Sequence, residues 1–310
     1  MKRVAIVGSG LIGRSWAIVF ARAGWTVSLF DPIGGVVASA IPLINAELAA
    51  LAKLGLVDDP KAAASRVLGA RGLEHAVEGA DLVQENGPEN VDAKIAIYAK
   101  LDACASREAI LASSTSAIVA SRFTEKLAGR ERCLVAHPVN PPHLVPVVEL
   151  CGAPWTSPDV IARAHGIYES VGQVPITVRR EVDGFILNRL QGALLAEAFR
   201  LVGEGYVSPQ DLDHTVKNGL GLRWSFMGPF ETIELNAPGG IPDYCARYTG
   251  FYKGLQASPA TPDAYSEASV SKIVQQWGQA ATPERISTRM QWRDERLAAL
   301  AVQKKTQPQP

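Results

Sequence analysis

The sequence has little of what marks a disulfide-stapled, metal-binding or nucleic-acid-binding chain. Cysteine is scarce, with four residues in 310: Cys104, Cys133, Cys151 and Cys245. They form no Cys-x-x-Cys pair and no histidine stands at ligand spacing from them. That excludes a zinc framework or disulfide scaffold and points to reduced thiols in a cytoplasmic protein. Neither sign of charge dominates, since 31 basic side chains balance 31 acidic ones. The electrostatic footprint of a nucleic-acid or membrane-surface partner is therefore missing. No apolar run approaches the roughly 20 residues that span a bilayer. A strand pattern begins at Arg3, so no signal peptide is expected. Internal repeats are also absent.

What is present is an apolar fraction of 47%, enough for large cores and for two domains at about 150 residues each. Composition changes near Glu181-Val182-Asp183-Gly184. Residues 1–181 alternate strand and helix patterns, whereas residues 182–310 carry helical periodicity and no convincing strand. The expected fold is α/β: a Rossmann-type, doubly wound, mostly parallel sheet, followed by an all-helical domain.

The first βαβ unit is complete. Arg3 to Val7 is a β-branched, apolar strand, Leu11 to Ala23 a helix, and Thr26 to Phe30 a second strand ending at Asp31-Pro32. Between the first two lies Gly8-Ser9-Gly10-Leu11-Ile12-Gly13. In such a turn Gly8 permits the tight bend, Gly10 lets a pyrophosphate approach the backbone, and Gly13 lets the helix pack on the strand. The first helical N–H groups, at Leu11 and Ile12, then face the anion. Asp31 stands where a carboxylate binds the adenosine ribose and repels a 2′-phosphate, and no Lys or Arg follows it closely. The pattern predicts NAD rather than NADP.

Further along, residues 33–55 read as one long apolar helix with a kink or break at Pro42. Asp59-Pro60 starts a short helix; Ala80 to Gln84, Ala109 to Ala112, Cys133 to Ala136, Val145 to Leu150 and Val174 to Val178 read as strands. Glu85 to Pro88 reads as a turn, and Asn90 to Ala103 and Pro158 to Gly172 as helices. Strand carboxyl ends bind ligands in such sheets, so the hydroxyls of Ser113 to Ser116 and the imidazole of His137 are placed for function. Glu149 follows His137 by twelve positions. An imidazole beside a carboxylate can take a proton from an alcohol, with the carboxylate fixing the tautomer. In the second half, Ile186 to Gly205 reads as a long amphipathic helix, and Ser208-Pro209-Gln210-Asp211 caps another. Further helices run from Glu231 to Asn236, Tyr244 to Leu255, Tyr265 to Trp277 and Pro283 to Val302, with a frayed polar tail from Lys304.

Several stretches together carry a family resemblance. They are Gly8 to Gly13 with Asp31, Ser114-Thr115-Ser116, His137-Pro138-Val139-Asn140, Val148-Glu149, Gly184-Phe185-Ile186-Leu187-Asn188-Arg189 and Met227-Gly228-Pro229-Phe230-Glu231. The chain resembles the 3-hydroxyacyl-CoA dehydrogenase family, essentially end to end. The resemblance implies a general base at His137 and a carboxylate partner at Glu149. It implies that Ser116 and Asn188 hold the substrate oxygen, that Asn140 lies near the nicotinamide, and that Glu89 and Lys94 contact NAD. It also implies a homodimer built from the helical half. The intact set of His137, Glu149, Ser116 and Asn188 speaks against a purely structural, crystallin-like role or a non-catalytic NAD-binding module.

The substrate class is read from two segments. In hydroxyacyl-CoA enzymes the region after the second strand supplies lysine to the CoA; here Lys53 is the only basic side chain in residues 33–55. Arg223, just before the Met-Gly-Pro-Phe stretch, can grip a carboxylate through two parallel N–H donors. The expectation is NAD-dependent oxidation of a small 3-hydroxy carboxylic acid such as L-gulonate. A 3-hydroxyacyl-CoA or L-carnitine dehydrogenase is the alternative.

Overall fold

The computed structural model describes residues 2–308. An eight-stranded sheet has the order β3-β2-β1-β4-β5-β6-β7-β8. Its strands are β1 (Arg3–Val7), β2 (Thr26–Phe30), β3 (Val67–Gly69), β4 (Leu82–Glu85), β5 (Ile110–Ser113), β6 (Cys133–Pro138), β7 (Val147–Gly152) and β8 (Val174–Val178). All neighbours pair in parallel except β6 and β7. The order turns back at β1, so the chain winds outward in both directions and opens a crevice at the carboxyl ends of the central strands. The doubly wound, mostly parallel sheet is the one the sequence predicts.

Helices cover both faces. Around the sheet come α1 (Leu11–Arg22), α2 (Val36–Lys53), α3 (Pro60–Ser65), α4 (Leu73–Val77), α5 (Val91–Cys104), α6 (Ser121–Thr124) and α7 (Pro158–Ser170). One core packs α1, α2 and α7 on the sheet through Trp16, Phe20, Ile44, Leu48 and Tyr168; the other packs α4 and α5 through Leu73, Val77, Tyr98 and Leu101. The central strands are buried on both faces, which is why they read as unbroken apolar runs. A Trp16, Phe20, Trp25 and Tyr168 cluster, with centroids 5.2–6.3 Å apart, stiffens the first of these cores.

The remaining helices are α8 (Leu187–Gly203), α9 (Pro209–Thr215), α10 (Gly221–Trp224), α11 (Pro229–Glu234), α12 (Gly240–Leu255), α13 (Glu267–Trp277) and α14 (Pro283–Thr306). A π-helical turn, Val216–Leu220, joins α9 to α10. The Ser208 hydroxyl accepts from the Asp211 N–H and caps α9 as its sequence predicts. Two compact units result: residues 1–188 with 289–310, and residues 189–288. The C-terminal part of α14 thus belongs to the sheet-bearing unit, where Ala298 is buried in the core, whereas the sequence groups residues 182–310 together.

Several local expectations are corrected. Pro42 lies inside an uninterrupted α2, so the break expected there does not form. By length and composition α2 is also apolar enough to cross a membrane, which the sequence reading denied to every segment. Its buried residues Ala40, Ile44, Leu48 and Leu51 follow the spacing of a core-facing helix. Strand β3 goes unpredicted because it is three residues long and its central Leu68 is half exposed at the sheet edge. Glu85 belongs to β4 rather than to the following turn. Lys304 to Thr306 continue α14 instead of fraying; Pro310, at the end of the expected tail, lies outside the described residues.

Candidate active site

The carboxyl ends of β4, β5 and β6 deliver Glu85, Ser113 and His137 to one edge of the sheet. Because β7 returns antiparallel to β6, His137 and Glu149 stand directly opposite each other in register. Cross-strand partners share a face, so a separation of twelve in sequence becomes contact in space. His137 Nδ1 lies 2.7 Å from Glu149 Oε2, and both side chains are almost wholly buried. Glu149 Oε1 accepts the backbone N–H groups of Ile186 and Leu187, each at 2.9 Å, at the start of α8. Those donors are presented by a turn in which Gly184 and Phe185 both have positive φ, 76° and 48°. The Phe185 ring is fully buried 5.4 Å from the imidazole.

Burial pushes the Glu149 carboxyl up, but the bonds from His137 and from the Leu187 and Ile186 N–H groups outweigh it and hold the carboxyl below its ordinary range. A charged Glu149 keeps the proton on Nδ1 and leaves the Nε2 lone pair as the basic position. A buried imidazole with a fixed tautomer and a charged partner is suited to removing a proton from an alcohol.

Of the four hydroxyls from Ser113 to Ser116, at the end of β5, three are engaged in the protein. Ser113 donates to Glu85 at 2.6 Å, Ser114 to Asn86 at 2.7 Å, and Thr115 to Glu89 at 2.5 Å. Ser116 is exposed, and its hydroxyl has no partner among the described residues. Its backbone is nevertheless fixed: the Ser116 N–H donates to Glu89, and the Asn188 amide donates to the Ser116 carbonyl at 2.9 Å. Ser116 and Asn188 are thus brought together through the Ser116 backbone.

On the far side of β1 the glycine turn behaves as its sequence predicts. Gly8 has φ 95°, and a Cβ there would meet the Asn86 carbonyl oxygen at 2.8 Å. A Cβ on Gly13 would lie 1.9 Å from the Gly8 oxygen, whereas one on Gly10 would meet nothing within 4 Å. Gly10 therefore opens onto free space, as a backbone approached by a pyrophosphate must. Asp31 accepts the Ser9 N–H at 2.8 Å and the Ile33 N–H at 3.0 Å. A cavity of about 540 Å³ beside it is lined by Gly8, Gly10, Asp31, Ile33, Ala93 and Ile97. Its apolar walls and the Asp31 carboxylate fit an adenosine.

Comparison with known proteins settles the family. The model for the 3-hydroxyacyl-CoA dehydrogenase NAD-binding domain matches residues 3–182, and that for the family's C-terminal domain matches residues 184–291. The chain belongs to the 3-hydroxyacyl-CoA dehydrogenase family. Lambda-crystallin of Oryctolagus cuniculus is 42% identical over 99% of this chain and 98% of its own. L-carnitine dehydrogenase of Pseudomonas putida is 36% identical over 97% and 93%. Among solved structures, the NAD⁺-dependent 5-formyl-3-hydroxy-2-methylpyridine 4-carboxylic acid 5-dehydrogenase superposes with a TM-score of 0.85, at 28% identity, covering 99% of this chain and all of that one.

As a member of this family the protein is an NAD-dependent dehydrogenase, and the open Gly10 face and adenosine-sized cavity fit that cofactor. The family resemblance makes Lys94 a cofactor contact, but here it is buried beneath the groove. Lys94 Nζ lies 3.0 Å from Glu85 Oε2, and both side chains are 1% exposed. Glu85 also accepts the Gly87 N–H at 2.6 Å, so the pair braces the Asn86-Gly87 turn that floors the cavity. Glu89 is exposed and fastens Thr115, Ser116 and Ala117. Asn140 is exposed two residues beyond β6, before a cis bond to Pro141. Arg223 lies in α10, exposed and without an ion pair among the described residues; Glu231 instead caps α11 through the Gly228 N–H. The backbone donors at Ile186 and Leu187 and the Glu85–Lys94 brace are features of the site that sequence periodicity does not reveal.

Proposed function

We propose that the protein oxidises the secondary 3-hydroxyl of a small hydroxy carboxylic acid of the L-gulonate type to the 3-keto acid. The observation that carries this reading is the buried His137–Glu149 pair, 2.7 Å apart at the carboxyl edge of the sheet. His137 takes the hydroxyl proton at Nε2, and Glu149 stabilises the imidazolium that forms. The Ser116 hydroxyl and the Asn188 amide hold the substrate oxygen. NAD⁺ supplies the hydride acceptor, with Gly8, Gly10, Leu11, Ile12, Gly13 and Asp31 binding it and Glu89 and Asn140 shaping its nicotinamide end. Orientation and electrostatics are the protein's part of the chemistry.

Three points favour a free acid over a CoA thioester. The α2 segment carries a single basic residue, Lys53. Arg223 is an exposed guanidinium without an ion-pair partner among the described residues, able to grip a carboxylate bidentately. L-carnitine dehydrogenase and the pyridine-carboxylic-acid dehydrogenase are both named for free acids. The helices of residues 189–288 expose Phe226, Phe230, Leu235 and Phe251, each more than 60% accessible; the reading includes a homodimer that covers this face. Steady-state assays over gulonate, carnitine, 3-hydroxybutyrate and 3-hydroxybutyryl-CoA test the substrate class, and Arg223→Met should raise KM for the acid far more than for NAD⁺. Preference for the CoA thioester, or an unchanged KM in Arg223→Met, refutes it.

A further inference from the structure

Arg14 is the first residue after the glycine turn and the fourth residue of α1. It lines two adjoining cavities. One, of about 420 Å³, is shared with Ser9, Gly34, Gly35 and Ser39. The other, of about 190 Å³, is shared with Glu47, Pro141, His143, Arg293 and Asp294. The other arginine of the second cavity is already engaged: Arg293 holds Asp294 at 2.7 Å. Arg14 has no side-chain hydrogen bond or ion pair among the described residues, although it is only partly exposed.

Helical side chains lean toward the N-terminus and cover the preceding turn. For Arg14 the preceding turn is Gly10 to Gly13, and the cavity it shares with Ser9 lies on that side. The N-cap Gly10 supplies no side-chain acceptor to the first N–H groups of α1, and no acid stands in the first turn. Among the described residues, then, no side chain caps this end of the helix, and none pairs with the guanidinium beside it. A helix N-terminus attracts an anion, and a guanidinium binds two phosphate oxygens in a fixed fork.

We propose that Arg14 binds the pyrophosphate of NAD(H), adding a charged contact to the backbone N–H groups of the glycine turn. The proposal does not depend on which acid is oxidised. It is tested by titrating native protein, Arg14→Met and Arg14→Lys with NADH, ADP-ribose and adenosine at several salt concentrations. Loss of a charge-assisted contact should weaken NADH and ADP-ribose about 10- to 100-fold in Arg14→Met. Adenosine should bind as to native protein, and Arg14→Lys should recover part of the loss. The native salt dependence should flatten in Arg14→Met. NADH and ADP-ribose affinities within twofold of native overturn the proposal. So does an equal loss for adenosine, which marks a disturbed helix, or a raised KM for the acid with NADH affinity unchanged, which moves the guanidinium to the substrate.

Discussion

Glu149→Gln removes one charge and keeps the shape. The backbone donors Ile186 and Leu187 can still be satisfied by the amide oxygen, so the start of α8 keeps its anchor. What changes is the atom 2.7 Å from His137 Nδ1. An amide there can present N–H to the ring, and Nδ1 then accepts and the proton moves to Nε2, the position required as base. The imidazolium formed during turnover also loses its counter-charge. Two unit charges about 4 Å apart interact by about 4 kcal/mol at an effective dielectric of 20, or about 10³-fold in rate. Single-turnover reduction of NAD⁺, followed at the nicotinamide absorbance with the best free acid, should therefore slow about 10³-fold. NADH affinity should hardly move. The Glu149 carboxyl sits below its unfolded value of about 4.3, so its pairing stabilises the fold above that pH. The contribution is lost as pH falls through the folded value, and the acid unfolding of Glu149→Gln should lack it. A variant within fivefold of native hydride transfer would refute the reasoning.

Lys94→Met leaves Glu85 buried without its ion-pair partner, which typically costs about 3–5 kcal/mol; denaturant unfolding should show a loss of that size, and native stability with sharply weakened NADH would instead make Lys94 a direct cofactor contact. Burial pushes the Cys133 and Cys151 thiols up to about 12. Alkylation at neutral pH should spare both until the chain unfolds, and rapid labelling of either in folded protein would contradict their placement. Asp31 lines the cavity with no basic neighbour close in sequence, so fluorescence titration should give tighter NADH than NADPH, a preference that Asp31→Ala should erode.

The central strands were legible because they are buried on both faces. The glycine turn was legible because Gly8 and Gly13 are demanded by contacts a Cβ could not make. His137 and Glu149 could be named, but their contact depends on the antiparallel register of β6 and β7, which spacing alone does not fix. Periodicity gives no sign of Phe185 at positive φ, since the bend that aims two N–H groups at Glu149 follows from packing. The burial of Lys94 escapes the sequence because its partner Glu85 belongs to a neighbouring strand, nine residues back. The return of α14 to the sheet-bearing unit escapes for the same reason: helical periodicity shows that a face is apolar, not which core receives it.

The central claim is that His137 is the base. The direct measurement is single-turnover hydride transfer in His137→Ala beside its NADH dissociation constant. Loss of a general base costs about 10²–10⁴-fold, so transfer should fall by that factor while NADH binds as to native protein. Transfer within a few-fold of native in a variant that binds NADH normally would contradict the account.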